Sequence, residues 1–202
     1  QSYEIEADAG SASYFFGIAA ATGSEITVSN AKYNSLQGEI KFVDVLEKMG
    51  CQMRIENREW RMENKNGISI KGPEILNPLG EINLNHMPDT AMTIAILCTL
   101  AKGKSVLTGL QNLRIKETDR LKALATELTK VGAKVKELDD GLEIDGNPDL
   151  LHGAEIETYD DHRMAMCFAV LGTKVPGIII KNPDCVKKTY PGFWKDLETI
   201  YK

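Results

Sequence analysis

The sequence predicts an α/β fold of repeated βαβαββ units, three in number with the last incomplete, arranged around buried parallel helices. Three observations carry that prediction. An Asp followed by a nearly unbroken apolar run ending at Gly occurs three times: DAGSASYFFGIAAATG from Asp8, DTAMTIAILCTLAKG from Asp89 and DHRMAMCFAVLG from Asp161. An amphipathic stretch ending in a Gly turn occurs twice, as FVDVLEKMGCQM from Phe42 and LATELTKVGAKV from Leu124. The spacings agree: Asp8 and Asp89 lie 81 residues apart, and Gly50 and Gly132 lie 82 apart. Such a long period marks a structural unit repeated along the chain.

Each unit opens with a strand before its Asp: YEIEA, EINLN and AEIET. The apolar run that follows lacks a polar face, as expected of a helix buried on every side. EITVSN, SVLTGL and GIIIKN read as the next strands. Leu121, Leu124, Ala125, Leu128 and Val131 recur at helical spacing, so an amphipathic helix comes next. MRIEN with REWRMEN, and KVKEL with GLEID, supply the closing strand pairs of the first two units. The third unit stops at FWKDLETIYK and lacks that pair. One domain spans residues 1–202, with units at about 3–75, 80–147 and 154–202. If the three buried helices share a direction, their N-termini converge and offer unpaired N–H groups to an anion.

The 202 residues include 24 Lys and Arg against 29 Asp and Glu, a net charge of −5, with 43% apolar residues. This balance argues against a general nucleic-acid binder, and no apolar run is long enough for a membrane span. Cys51, Cys98, Cys167 and Cys185 show no zinc-like spacing and read as reduced thiols of a cytoplasmic protein. No metal, P-loop or dinucleotide pattern is present, and the aromatic residues are scattered without a stacking platform for bases. The opening Gln1, close to a strand-like stretch, suggests a piece of a longer polypeptide.

Basic residues at helix starts oppose the helix dipole, yet they recur at corresponding ends of units two and three. Lys116 and Arg120 flank the start of one amphipathic helix, Arg163 follows Asp161, and Lys187 and Lys188 precede Tyr190-Pro191. Together they point to a site for a multiply charged anion. Carboxylates fall in the same segments. Asp89 is placed to cap the second buried helix, and Glu117 stands three residues before Arg120, within ion-pairing reach. His162 lies beside Arg163, while His86 and His152 have no partner pattern.

The segments DAGSASYF from Asp8, NHMPD from Asn85, RIKETDRL from Arg114 and YDDHRMAM from Tyr159, with CVKKTYP from Cys185, closely resemble the C-terminal half of the 5-enolpyruvylshikimate-3-phosphate synthase family. The resemblance runs from about residue 3 to the end. It implies one domain of the two-domain enolpyruvyl transferase fold, with the other domain missing here and a short N-terminal strand segment completing the third unit. It implies transfer of the enolpyruvyl group of phosphoenolpyruvate to the 5-hydroxyl of shikimate 3-phosphate, with release of phosphate and without a cofactor.

Residue by residue, the resemblance makes Asp89 a ligand of the shikimate hydroxyls and a candidate base. Glu117 becomes the proton donor to the methylene carbon, with Lys116 close enough to assist. Asn112 and Lys116 resemble shikimate-phosphate ligands, and Arg120, Arg163 and Lys188 a cationic clamp on phosphoenolpyruvate beside His162. Holding half a site, the isolated chain is expected to be inactive. The alternatives are UDP-N-acetylglucosamine enolpyruvyl transferase, which shares fold and donor, and a non-catalytic anion-binding module of the same fold.

Overall fold

The computed structural model describes residues 5–56 and 67–200. Three helices occupy the centre: α1 (Ala9–Thr22), α3 (Ala91–Leu100) and α5 (His162–Gly172). All ten residues of α3 are buried, and α1 and α5 are buried over most of their length. A helix with no polar stripe has no face to offer water, so it goes inside. Each of the three packs against the other two. Gly17 permits the closest approach: a Cβ there would stand 2.8 Å from Thr93 Cγ2 and 3.4 Å from Val170 Cγ1.

The second unit shows the whole pattern. β4 (Gly80–Asn83) leads to α3, then β5 (Gly103–Thr108), α4 (Arg120–Lys130), β6 (Lys134–Leu138) and β7 (Gly141–Gly146). Its sheet runs β4-β5-β7-β6, with β4 and β5 parallel and the other pairs antiparallel. α4 sets Leu121, Leu124 and Leu128 into the core and turns Lys122, Thr126 and Lys130 outward, while Arg120 and Glu127 are buried.

The first unit has β1 (Glu25–Ser29), α2 (Phe42–Lys48), β2 (Gln52–Glu56) and β3 (Gly67–Lys71), in the order β1-β3-β2. Here the structure departs from expectation. REWRMEN lies outside the described residues, and the strand that pairs with both β1 and β2 is GISIK. Ile68 and Ile70 are fully buried, so the period-2 alternation of this short segment was the usable signal. Ile5–Ala7, expected as strand, are not strand. The amphipathic helix begins with a 3-10 turn, Gly38–Lys41.

The third unit keeps only two-residue strands, β8 (Glu155–Ile156) and β9 (Ile179–Ile180), paired in parallel. Lys187 and Lys188 close a 3-10 turn, Pro183–Lys188, rather than opening a helix, and α6 (Phe193–Ile200) starts beyond them. Phe193 is fully buried and packs its ring within 5.9 Å of Tyr14 and 5.7 Å of Tyr190, pinning α6 to α1. Residues scattered in sequence thus form a core cluster. All four cysteines are free. Among the described residues no helix is long and apolar enough to cross a membrane.

Candidate anion site at the converging helix starts

The three central helices begin at one end of the molecule. Asp8 caps α1 by accepting the Gly10 N–H at 3.0 Å, and Asp161 caps α5 by accepting the Arg163 N–H at 2.8 Å. Arg163 reaches from α5 to both other helices, donating to Tyr14 Oη on α1 at 3.3 Å and pairing with Asp89 before α3 at 3.0 Å. The expected capping role of Asp89 does not hold. Thr90 stands at the N-cap of α3 and makes no side-chain cap bond. The Asp89 carboxylate is taken instead by Arg163, by Arg120 at 3.0 Å and by Lys116 at 3.8 Å. Three cations outcompete one backbone amide for it, because charge-assisted bonds are the stronger ones.

Arg120 is the hub. Its side chain is 1% exposed and reaches Asp161 through Nε at 2.7 Å and Nη2 at 3.2 Å, Asp89 through Nη1, and Glu117 through Nη2 at 2.7 Å. A buried guanidinium is tolerated only with such partners. This position at the start of α4 looked unfavourable from the helix dipole alone; three carboxylates reverse that. Asp119 caps α4 by accepting the Lys122 N–H at 3.1 Å.

Glu117 also accepts from Lys188 Nζ at 2.6 Å. That ammonium holds its carboxyl far below the usual range, at about 2, against the opposing effect of burial. His162 is buried, and its Nδ1 has no hydrogen-bond partner. It stands 3.8 Å from Asp161 and 3.9 Å from Glu117, yet burial outweighs those carboxylates and lowers its pKa. A lowered value leaves the ring neutral at pH 7.

Four cations, Lys116, Arg120, Arg163 and Lys188, therefore face three carboxylates, Asp89, Glu117 and Asp161, with a fourth, Asp8, at the start of α1 acting on Arg163. Lys116 and Lys188 remain partly exposed and can turn to a ligand. Asn112 stays exposed on the 3-10 turn Gln111–Ile115. Asp161 entered the sequence reading only as the start of a helix; as the bidentate partner of Arg120 it lies 41 residues away. A cavity of about 620 Å³ opens between α1, β1 and α6, lined by Phe15, Ile26, Val28 and Ile200 among others, and reaches Asp8 at the start of α1 and Thr189 beside Lys188.

Residues 1–197 match the family model described as EPSP synthase (3-phosphoshikimate 1-carboxyvinyltransferase). A 3-phosphoshikimate 1-carboxyvinyltransferase of Shewanella baltica (strain OS195) is 45% identical over 196 residues, covering 97% of this chain and 43% of that protein. The one from Nostoc punctiforme is 42% identical over 194 residues, again covering 43% of the relative. The chain thus spans less than half the length of these relatives. In structure it resembles the EPSP synthase of Acinetobacter baumannii, with a TM-score of 0.81 at 29% identity over 95% of this chain and 45% of that one. The enolpyruvyl transferase NikO from Streptomyces tendae shares the fold, with a TM-score of 0.69 at 16% identity over 96% of this chain and 43% of that one. The chain belongs to the EPSP synthase family.

Proposed function

We propose that this chain supplies one half of the active site of a 3-phosphoshikimate 1-carboxyvinyltransferase, and that its ion cluster binds phosphoenolpyruvate and orients shikimate 3-phosphate. The observation that carries this reading is the meeting of Lys116, Arg163 and Lys188 with Asp89 and Glu117 at the shared end of three buried helices. The donor carries a carboxylate and a phosphate, which suit arginine and lysine at helix starts.

In the reaction, the 5-hydroxyl oxygen bonds to C2 of phosphoenolpyruvate while a proton is added at the methylene carbon. The second step removes a proton from that carbon and breaks the C2–O bond to phosphate, which leaves. A base at oxygen and an acid at carbon are required, and two carboxylates can fill these roles. Asp89, paired with Arg120, Arg163 and Lys116, suits the base. Glu117 is held ionised by Lys188, so as a proton donor it must first lose that partner. An anion that draws Lys188 away does this: it raises the proton affinity of Glu117 as the donor substrate arrives. Arg120, already committed to three carboxylates, fixes Asp89 and Glu117 relative to one another. For Arg120 to contact the donor directly, one of those carboxylates must yield.

The test is phosphate release from phosphoenolpyruvate with shikimate 3-phosphate, using this chain together with the complementary half. Release needing both halves and both substrates supports the reading; release only with a UDP-sugar acceptor replaces the substrate assignment. In the complete enzyme, Lys116→Ala and Arg163→Ala should each lower kcat/KM for phosphoenolpyruvate by about tenfold or more, since a charged contact contributes roughly 1.5–3 kcal/mol. Unchanged kinetics in both would remove the ion cluster from the site.

A further inference from the structure

Away from the ion cluster, a single buried carboxylate grips the turn from which α5 starts. Glu127 has a side chain with 0% exposure and accepts four hydrogen bonds. Lys130 Nζ donates to both oxygens at 2.8 Å, the Glu157 N–H donates to Oε2 at 3.1 Å, and the Tyr159 hydroxyl donates to Oε1 at 2.7 Å. Only Lys130 belongs to the same helix. The other two donors belong to the segment leading to Asp161.

That segment is conformationally costly. The Asp161 N–H donates to the Thr158 carbonyl at 2.9 Å, closing a turn whose two central residues, Tyr159 (φ 54°) and Asp160 (φ 57°), are both left-handed. This φ pattern suits Asn and Gly; a tyrosine adopts it only when its surroundings hold it there. Two contacts do so. Glu127 holds the Tyr159 hydroxyl, and Asn182, itself at φ 48°, donates from Nδ2 to the Asp160 carboxylate at 3.0 Å. The turn delivers Asp161 to Arg120, and two residues on, Arg163 to Asp89.

Arg120 and Glu127 lie seven residues apart on α4, two turns along one face. Helix α4 therefore holds the 157–161 segment at both ends, through Arg120 on Asp161 and Glu127 on Glu157 and Tyr159. We propose that Glu127 is a positioning residue: through Tyr159 it enforces the left-handed turn that sets Asp161 and Arg163 at their distances from Arg120 and Asp89. The kinetic consequence rests on the transferase reading above; the conformational one does not.

Hydrogen exchange and steady-state kinetics on the complete polypeptide test the proposal. Glu127→Ala should speed exchange of the amides in residues 157–165 about tenfold or more while leaving α3 protected. It should lower kcat/KM for phosphoenolpyruvate about tenfold, and Glu127→Gln, which keeps an acceptor, should recover most of that loss. Leu142→Ala, in the β7 core, serves as a control of comparable loss in Tm and should leave kcat/KM within about twofold. Unaltered exchange in Glu127→Ala, or a kinetic loss that the control reproduces, overturns the proposal. Should Glu127→Ala not fold, Tyr159→Phe decides: threefold or greater loss at unchanged Tm supports it, and wild-type kinetics with wild-type exchange refute it. If the wild-type polypeptide turns over neither substrate, the transferase reading falls and the exchange comparison alone decides the clamp.

Discussion

Thr93 lies in the first turn of α3, wholly buried, and its hydroxyl has no hydrogen-bond partner. An unsatisfied buried hydroxyl costs about 1–3 kcal/mol. Replacing it with the similarly shaped valine should stabilise the fold by about 1 kcal/mol, raising Tm by ~2–4 °C for a chain of this size; an unchanged or lower Tm on thermal unfolding would show the hydroxyl to be satisfied in solution. His162 and Glu117 give the pH counterpart. The folded pKa of His162 is depressed below its ordinary value, so the folded state binds fewer protons there and stability declines as pH falls below about 6.5. Glu117 is depressed too, and its contribution, complete above the unfolded glutamate value, is lost as pH falls toward about 2. Urea unfolding across pH should show a flatter acid limb in Glu117→Gln than in wild type.

At the scale of elements, the meeting of the three central helices depends on the missing side chain of Gly17. A valine there would drive its Cβ into Thr93 from 2.8 Å and separate α1 from α3 and α5. Overpacking of this kind costs roughly 1–3 kcal/mol, so Gly17→Val should unfold at a lower urea midpoint with an unchanged m-value. The central helices were legible in the sequence because burial on all sides leaves an apolar run bounded by Asp and Gly. The amphipathic α4 was legible from its spacing. Strands were legible less evenly: AEIET and GIIIKN contain β8 and β9, which keep only two residues each, whereas in the first unit the polar REWRMEN drew attention from GISIK. Arg120 and Arg163 drew notice because a basic residue in a helix's first turn opposes the dipole; Lys188 was singled out on the same ground, although it closes a 3-10 turn. The partner that explains Arg120, Asp161, lies 41 residues away, as Glu127 lies 32 from Tyr159, and no local pattern announces a pair at that range.

For the whole molecule, the repeat has brought the starts of three helices to one end, where Arg120 and Asp161 are buried and Lys116 and Lys188 reach solvent; in the proposed function this end is half of a binding surface. Partial exposure of Lys116 and Lys188 fits that arrangement. The chain alone is therefore expected to give no steady turnover, with phosphate release returning when the complementary half is added. The cysteines of this core allow a different use. Cys51, Cys98 and Cys167 fall one to each unit, all buried, and burial pushes the first two thiols up to about 12 and the third higher still. A thiol reagent attacks only thiolate, so these three positions stay silent until their surroundings open, while the half-buried Cys185 reacts first. Labelling rates at the three sites become a stopwatch on each repeat: one shared rate means the units breathe together, and three separate rates mean each comes apart by itself.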